Sequence, residues 1–306
     1  MSSGRSGSTR LGDRILKWGL LSSALIIILV FILYLIMLTN DSSESFRQSG
    51  FKFLTTLDWN PVSNVFGALP FIYGTMVSST IAIVIAGIVG VSSAIFLTQY
   101  APKWFADPLL FLIELLAAIP SVVYGLWGIF VLGPMLRTVV QPWLQKYFGF
   151  LPFFKGPMYG IGLLAAGLIL SIMILPTITA ITRDVIMTVP QEQKEAALGL
   201  GATKWEMIRL AVLPYSRAGI LGGMMLGLGR ALGETMAVTM VIGNRPEVSA
   251  SLFAPSYTMA SVIANEFTEA TSSIHVSALI EIGLVLFAVT IFFFLAARVL
   301  IRKVNV

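Results

Sequence analysis

Six stretches of this chain run for twenty or more residues with hardly a charge, near 19–39, 72–98, 109–132, 158–182, 217–243 and 277–297. About 20 apolar residues in a helix cross the roughly 30 Å of hydrocarbon in a bilayer. Inside lipid the backbone must satisfy its own hydrogen bonds, and helices do so within each segment. The expected fold class is therefore an all-α membrane protein of about six spans. Composition agrees, since 57% of the 306 residues are hydrophobic and 11% charged, whereas soluble domains carry about 25% charged residues. Pro120 and Pro176 fall inside the third and fourth runs, where prolines are expected to kink a membrane helix without excluding it. The first run lacks an Ala-x-Ala-like cleavage site and reads as a retained anchor. Residues 1–18 form a short leading segment and 19–306 one six-span domain.

Orientation follows from the basic residues. The segments 1–18, 99–108, 183–217 and 298–306 together hold thirteen Lys and Arg, and the alternate segments hold six. The positive-inside bias predicts that both termini and the 183–217 loop are cytoplasmic. The segment 133–157, with Arg137, Lys146 and Lys155 and no acidic residue, runs against that count. The net charge of +5 is dispersed between apolar blocks instead of forming one basic face, so no nucleic-acid partner is expected. Aromatics in the three outer segments, among them Trp59, Trp143, Tyr147, Phe148, Phe153, Phe154 and Tyr257, are expected at the membrane–water interface.

There is no cysteine and one histidine, His275. Thiol nucleophiles, disulfides, thiolate metal sites and paired-histidine metal sites are excluded together, and neither a catalytic residue nor a metal site is expected. The dipeptide Gly-Lys occurs nowhere, so a phosphate-cradling Walker loop is absent and any ATP chemistry must be done by another chain.

The one sizeable inner loop, about 183–217, reads as two short helices. Pro190 suits a first turn, Gln191 to Leu200 favours helix, and Gly201 can end it in a left-handed conformation. Thr203 with Glu206 fits a capping box, and Pro214 is expected to close the second helix. Small residues on the first helix, Ala196, Ala197 and Gly199, would let another protein's groove come close.

The fifth run carries Arg230 and Glu234. Four residues apart on a helix, they lie on one face and could pair, continuing a stripe of Gly219, Gly223 and Gly227. Such a stripe lets helices approach closely. A charge at mid-bilayer costs about 2.5–3.5 kcal/mol even on the lenient scale, so the pair needs a reason: a substrate pathway for an anion, or a clasp between subunits. Thr235 stands with them. Glu114 in the third run is expected to pair with a partner or to snorkel. His275 and Glu281, near the outer end of the sixth, are expected to be solvated at the interface.

The spacing within the loop adds a resemblance. Glu195-Ala196-Ala197, three residues, Gly201, nine residues, Ala211 where isoleucine is usual, one residue, then Leu213-Pro214 is similar to the cytoplasmic loop of ABC importer permeases. RLGDRILKWGLL at the start, GTMVSSTIA, IPSVVYGLWGIF, ILPTITAITRD and GRALGETMAVTMVIGN extend it over roughly residues 10–300, and together they resemble the phosphate-specific permease family, C-type subunit. That resemblance implies a type I ABC importer permease fold in the inner membrane. It implies that Glu195, Ala196, Ala197, Gly201, Leu213 and Pro214 form an ATPase-coupling loop. It implies as partners a paralogous A-type permease, two copies of an ABC ATPase using ATP and Mg, and a periplasmic or extracellular phosphate-binding protein. No cofactor is expected on this chain itself. An A-type subunit and a permease for sulfate or molybdate remain alternatives. A secondary transporter would need no coupling loop, and inverted halves, its usual sign, are not seen.

Overall fold

The computed structural model describes residues 6–304; Arg5, one of the charges counted above, lies outside them with the rest of 1–5 and with 305–306. Among the described residues the regular structure is helical apart from two isolated bridges, Asn60 with Val65 and Gly243 with Ser256. The helices are α1 (Ser6–Asp41), α2 (Ser43–Ser49), α3 (Leu69–Tyr100), α4 (Lys103–Ala118), α5 (Ser121–Phe148), α6 (Leu163–Met187), α7 (Gln191–Gly199), α8 (Lys204–Leu232), α9 (Met236–Ile242), α10 (Met259–Glu266) and α11 (Ser273–Val304). Five of them are long and apolar enough to cross a membrane, and α8 with α9 makes a sixth, broken span bent by 64°.

Small residues set the packing. Neighbouring α3 and α6 run parallel, with Gly167 against Ile81 and Gly90 against Ile178 and Thr179. Antiparallel to α6, α8 places Gly219 on Val185, Gly223 on Ile181 and Gly227 on Ile178, where a Cβ would stand 2.5–3.0 Å from those side chains. The glycine stripe does meet another helix, and that helix is the chain's own fourth span. On the far side, α9 packs on α5 through Gly125 against Met240 and Gly128 against Val241. Ala166, Ile169, Met173, Ile174, Val238 and Val241 fill the centre. In lipid this close approach supplies the dispersion contacts that hydrophobic burial supplies in water.

The prolines behave differently from expectation at two places. Pro120 does not kink a continuous third span: α4 ends at Ala118, Ile119 and Pro120 are extended, and α5 begins at Ser121. Proline disfavours helical geometry in the residue before it, and here that preference prevails. The third span is thus α5 by itself, with α4 a separate, shorter helix before it, and the expected run 109–132 straddles the two. Beyond the expected end at 132, α5 continues as helix to Phe148, so much of the expected 133–157 loop is helical. Pro176 lies within an unbroken α6, as anticipated.

Pro214 does not close a helix either. Wide π-turns occupy Phe96–Tyr100, Gly128–Leu132, Leu136–Val140 and Ile208–Val212, and each is followed two residues later by a proline: Pro102, Pro134, Pro142 and Pro214. Proline cannot donate the i→i−4 bond, and its ring crowds the carbonyl four residues back. Widening the preceding turn removes that conflict. At Pro134, Pro142 and Pro214 the helix then runs on, and the loop's second helix is continuous with the fifth span.

Residues 42–68 and 244–272 gather at one end of the bundle in a second core of Phe53, Phe66, Phe71, Tyr257, Met259 and Val262. Trp59 sits edge-on to Phe66 and Phe71 and donates from Nε1 to Glu266 Oε2 at 2.8 Å, with His275 Nε2 3.2 Å from the same oxygen. His275 and Glu281 are 7% and 5% exposed, so interface water does not account for either. Trp59 and Tyr257 belong to this core, whereas Trp143, Tyr147 and Phe153 remain exposed, as interface aromatics should. Ser277 Oγ donates to Asp41 O and accepts from Ser45 N, tying the end of α1 to the start of α11. The α7 hairpin and both ends of the described chain therefore lie at the opposite end.

Candidate functional site

Two places in this framework hold the residues singled out in the sequence. The first is the hairpin of α7 and the start of α8. The Gly201 φ of +87° is the left-handed turn expected of it, and a Cβ there would meet open space. Thr203 and Glu206 form the expected capping box, Thr203 Oγ1 accepting from Glu206 N and Glu206 Oε2 accepting from Thr203 N at 2.8 Å. The Thr203 amide, then the Thr203 hydroxyl, holds the Glu206 carboxyl below its ordinary range. The six loop residues divide by facing. Ala197 and Leu213 pack on Ile186, Val189, Met207, Ile208 and Val212 and anchor the hairpin to the ends of α6 and α8. Glu195, Ala196, Gly201 and Pro214 are exposed. At the tip, Leu200 is 91% exposed.

The second place is the break between α8 and α9. Gly233 ends α8 and the chain turns by 64° before α9 starts. The expected Arg230–Glu234 pair does not form, because Glu234 lies beyond the end of the helix and no longer one turn above Arg230. Its Oε1 accepts from Ala237 N at 3.3 Å, capping the first turn of α9. A carboxylate there is favoured by the orphan amides and their partial positive charge. Thr235 Oγ1 donates to Gly233 O at 3.3 Å, and Thr239 Oγ1 to Thr235 O at 2.8 Å. Arg230 is half-buried in the last turn of α8, where the helix end favours a cation. Among the described residues no carboxylate lies within 4.0 Å of its guanidinium; the ion pairs there are Arg183–Asp184 and His275–Glu266.

Tyr124, which sequence reading passed over, donates to Leu116 O at 2.8 Å across the Pro120 break. The start of α5, just beyond that break, packs on α9 through Gly125 against Met240 and Ala237. A signal for the second break was present in Gly233-Glu234-Thr235, a helix-stopping glycine followed by two capping residues. Glu114 is exposed on α4 and takes no part in either place.

Residues 86–306 match the family described as binding-protein-dependent transport system inner membrane component. The phosphate transport system permease protein PstC of Mesorhizobium japonicum is 52% identical over 268 residues, covering 86% of this chain and 82% of that one. The protein of the same name from Pasteurella multocida is 49% identical, covering 91% and 89%. Among solved structures, a chain of a bacterial ABC transporter involved in import of the acidic polysaccharide alginate superposes with a TM-score of 0.63 at 17% identity, covering 97% of this chain and all of that one. A chain of the inward-facing MetNI methionine ABC transporter gives 0.55 at 15% identity over 76% of this chain. The fold is that of a type I ABC importer permease, in which the second helix of the hairpin runs on without a break into the first part of the fifth span. By sequence and by fold, the chain belongs to the family of binding-protein-dependent transport system inner membrane components.

Proposed function

We propose that this chain is the C-type permease subunit of an ATP-driven phosphate importer, and that Arg230 meets the anion at the helix break. The observation that carries the reading is a half-buried guanidinium within the broken fifth span that has no carboxylate partner among the described residues. An intramembrane charge is costly and needs compensation, and a transiting phosphate supplies it. A guanidinium keeps its charge at all relevant pH and offers planar paired donors to phosphate oxygens. Glu234, held on α9 by the Ala237 amide, keeps the site from being strongly positive, so that the anion passes without being trapped. Thr235 offers a hydroxyl at the same level. The kinship with two PstC proteins supports phosphate as the substrate.

The partners follow from the same reading: a paralogous A-type permease, two ATPase subunits that use ATP and Mg, and an external phosphate-binding protein. The α7 hairpin would be the ATPase contact, on the cytoplasmic side with both termini. Its exposed Leu198 and Leu200 beside small residues suit a groove.

Uptake of labelled phosphate in cells lacking their own importer tests the substrate. Unlabelled phosphate should compete, and excess sulfate or molybdate should not. Arg230→Gln should cut uptake at least a hundredfold at equal assembly, and Arg230→Gln with Glu234→Gln should not restore it. Recovery in the double variant would mean that the two residues serve only as a structural clasp.

A further inference from the structure

At the end of the bundle opposite the hairpin, the outer end in the proposed orientation, a cavity of about 600 Å³ opens between residues 61–64, the stretch after α10 and the start of α11. Glu266, Glu269 and His275 line it together, and no Lys or Arg does. Glu266 Oε2 accepts from Trp59 Nε1 and faces His275 Nε2. A carboxylate accepts and does not donate, so in the neutral imidazole the hydrogen sits on Nε2 and Nδ1 keeps its lone pair. His275 is 7% exposed, with Phe66 stacked on its ring, yet Nδ1 has no partner among the described residues. Glu266 Oε1 and the exposed Glu269 carboxyl accept no hydrogen bond there either. Three acceptor groups with no basic side chain among them are complementary to a cation that carries several N–H donors.

The wall is fixed before anything enters it. Asn60 Oδ1 accepts from Val62 N at 3.0 Å, and Ser272 Oγ accepts from His275 N at 3.3 Å. Glu266, through Trp59 and His275, ties the 42–68 segment to α10 and α11. Acceptors already in place spare an incoming donor the cost of ordering them. The acidic groups and His275 do not converge as metal ligands among the described residues, so a bare ion is not what they fit. At the rim, Val62 is 95% exposed, an apolar contact that suits a protein surface around a buried charge. A binding protein is the partner that the family description itself names.

We infer that this cavity receives an arginine or lysine side chain of the external phosphate-binding protein, its N–H groups meeting Glu266, Glu269 and His275 Nδ1. The inference rests on the reading that such a protein delivers phosphate to this chain.

The test uses the full chain assembled with its partner permease and ATPase in proteoliposomes. ATP hydrolysis, normalised to assembled complex, is read against the concentration of phosphate-loaded binding protein. Glu269→Lys, at the exposed rim, should raise the half-saturating concentration of binding protein at least tenfold. Thr271→Trp, which blocks the cavity without altering its charge, should do the same, and it carries the test should Glu269→Lys fail to accumulate. Glu247→Lys changes an exposed carboxylate outside the cavity and should shift half-saturation less than twofold. Half-saturation unmoved by Glu269→Lys or by Thr271→Trp overturns the inference. An equal shift from Glu247→Lys also overturns it, because the binding protein would then sense the charge of the whole outer surface. Hydrolysis that no binding protein stimulates would instead remove the delivery reading, and the inference with it.

Discussion

At the scale of single residues, two glycines one position apart on α8 separate packing from composition. Gly223 faces Ile181, where a Cβ would stand 3.0 Å away, and Gly222 faces open space. Gly223→Val should destabilise the bundle by about 1–3 kcal/mol, the ordinary cost of overpacking, and Gly222→Val by less than about 0.5 kcal/mol. Thermal denaturation of the purified variants in one detergent measures both, and equal losses would mean that the stripe is not the contact face. Gly201 is constrained differently, by conformation and not by space. Gly201→Ala should cost about 1 kcal/mol in the hairpin because alanine strains a φ of +87°. Gly201→Asp adds a charge at the proposed ATPase contact and should abolish uptake while the chain still accumulates in the membrane. Normal uptake by Gly201→Asp would remove the docking role of the hairpin.

At the scale of the element, four π-turns with a proline two residues beyond each show one local rule used repeatedly. The rule matters most at Pro214, where it joins the hairpin to the fifth span as one helix. A push on α7 or the first turn of α8 therefore has a continuous helical path, through the glycine stripe on α6, to the Arg230 break. Pro214→Ala removes the reason for the wide turn. Returning one residue to α geometry rotates everything before it by about 100° relative to the rest of α8. Accumulation should be normal and phosphate uptake should fall at least fivefold, and unchanged uptake would show that the hairpin's facing is not transmitted through the turn. Thr203→Ala, by contrast, removes only the capping box and should cost about 1 kcal/mol of local stability, seen as faster hydrogen exchange in the first turn of α8.

At the scale of the whole molecule, Val62 and Leu200 mark opposite ends and are 95% and 91% exposed. With no cysteine in the chain, Val62→Cys should react in intact cells with a membrane-impermeant maleimide and Leu200→Cys should not; the reverse pattern would invert the proposed orientation. The spans other than the third, the hairpin with its Gly201 turn and capping box, and the intramembrane charge were legible in the amino-acid order, because hydropathy, turn chemistry and capping act within some twenty residues. What lay beyond such windows was read differently or missed: the breaks at Pro120 and Gly233, the loss of the Arg230–Glu234 pair, and the burial of His275 and Glu281. Gly227 and Gly233 look alike as letters. Gly227 stays helical with Ile178 filling the space a side chain would need, whereas Gly233 meets no such neighbour and ends α8, leaving Glu234 to cap α9 instead of pairing with Arg230. That difference is made by α6, more than forty residues away in the chain, and a window confined to the fifth span cannot contain it.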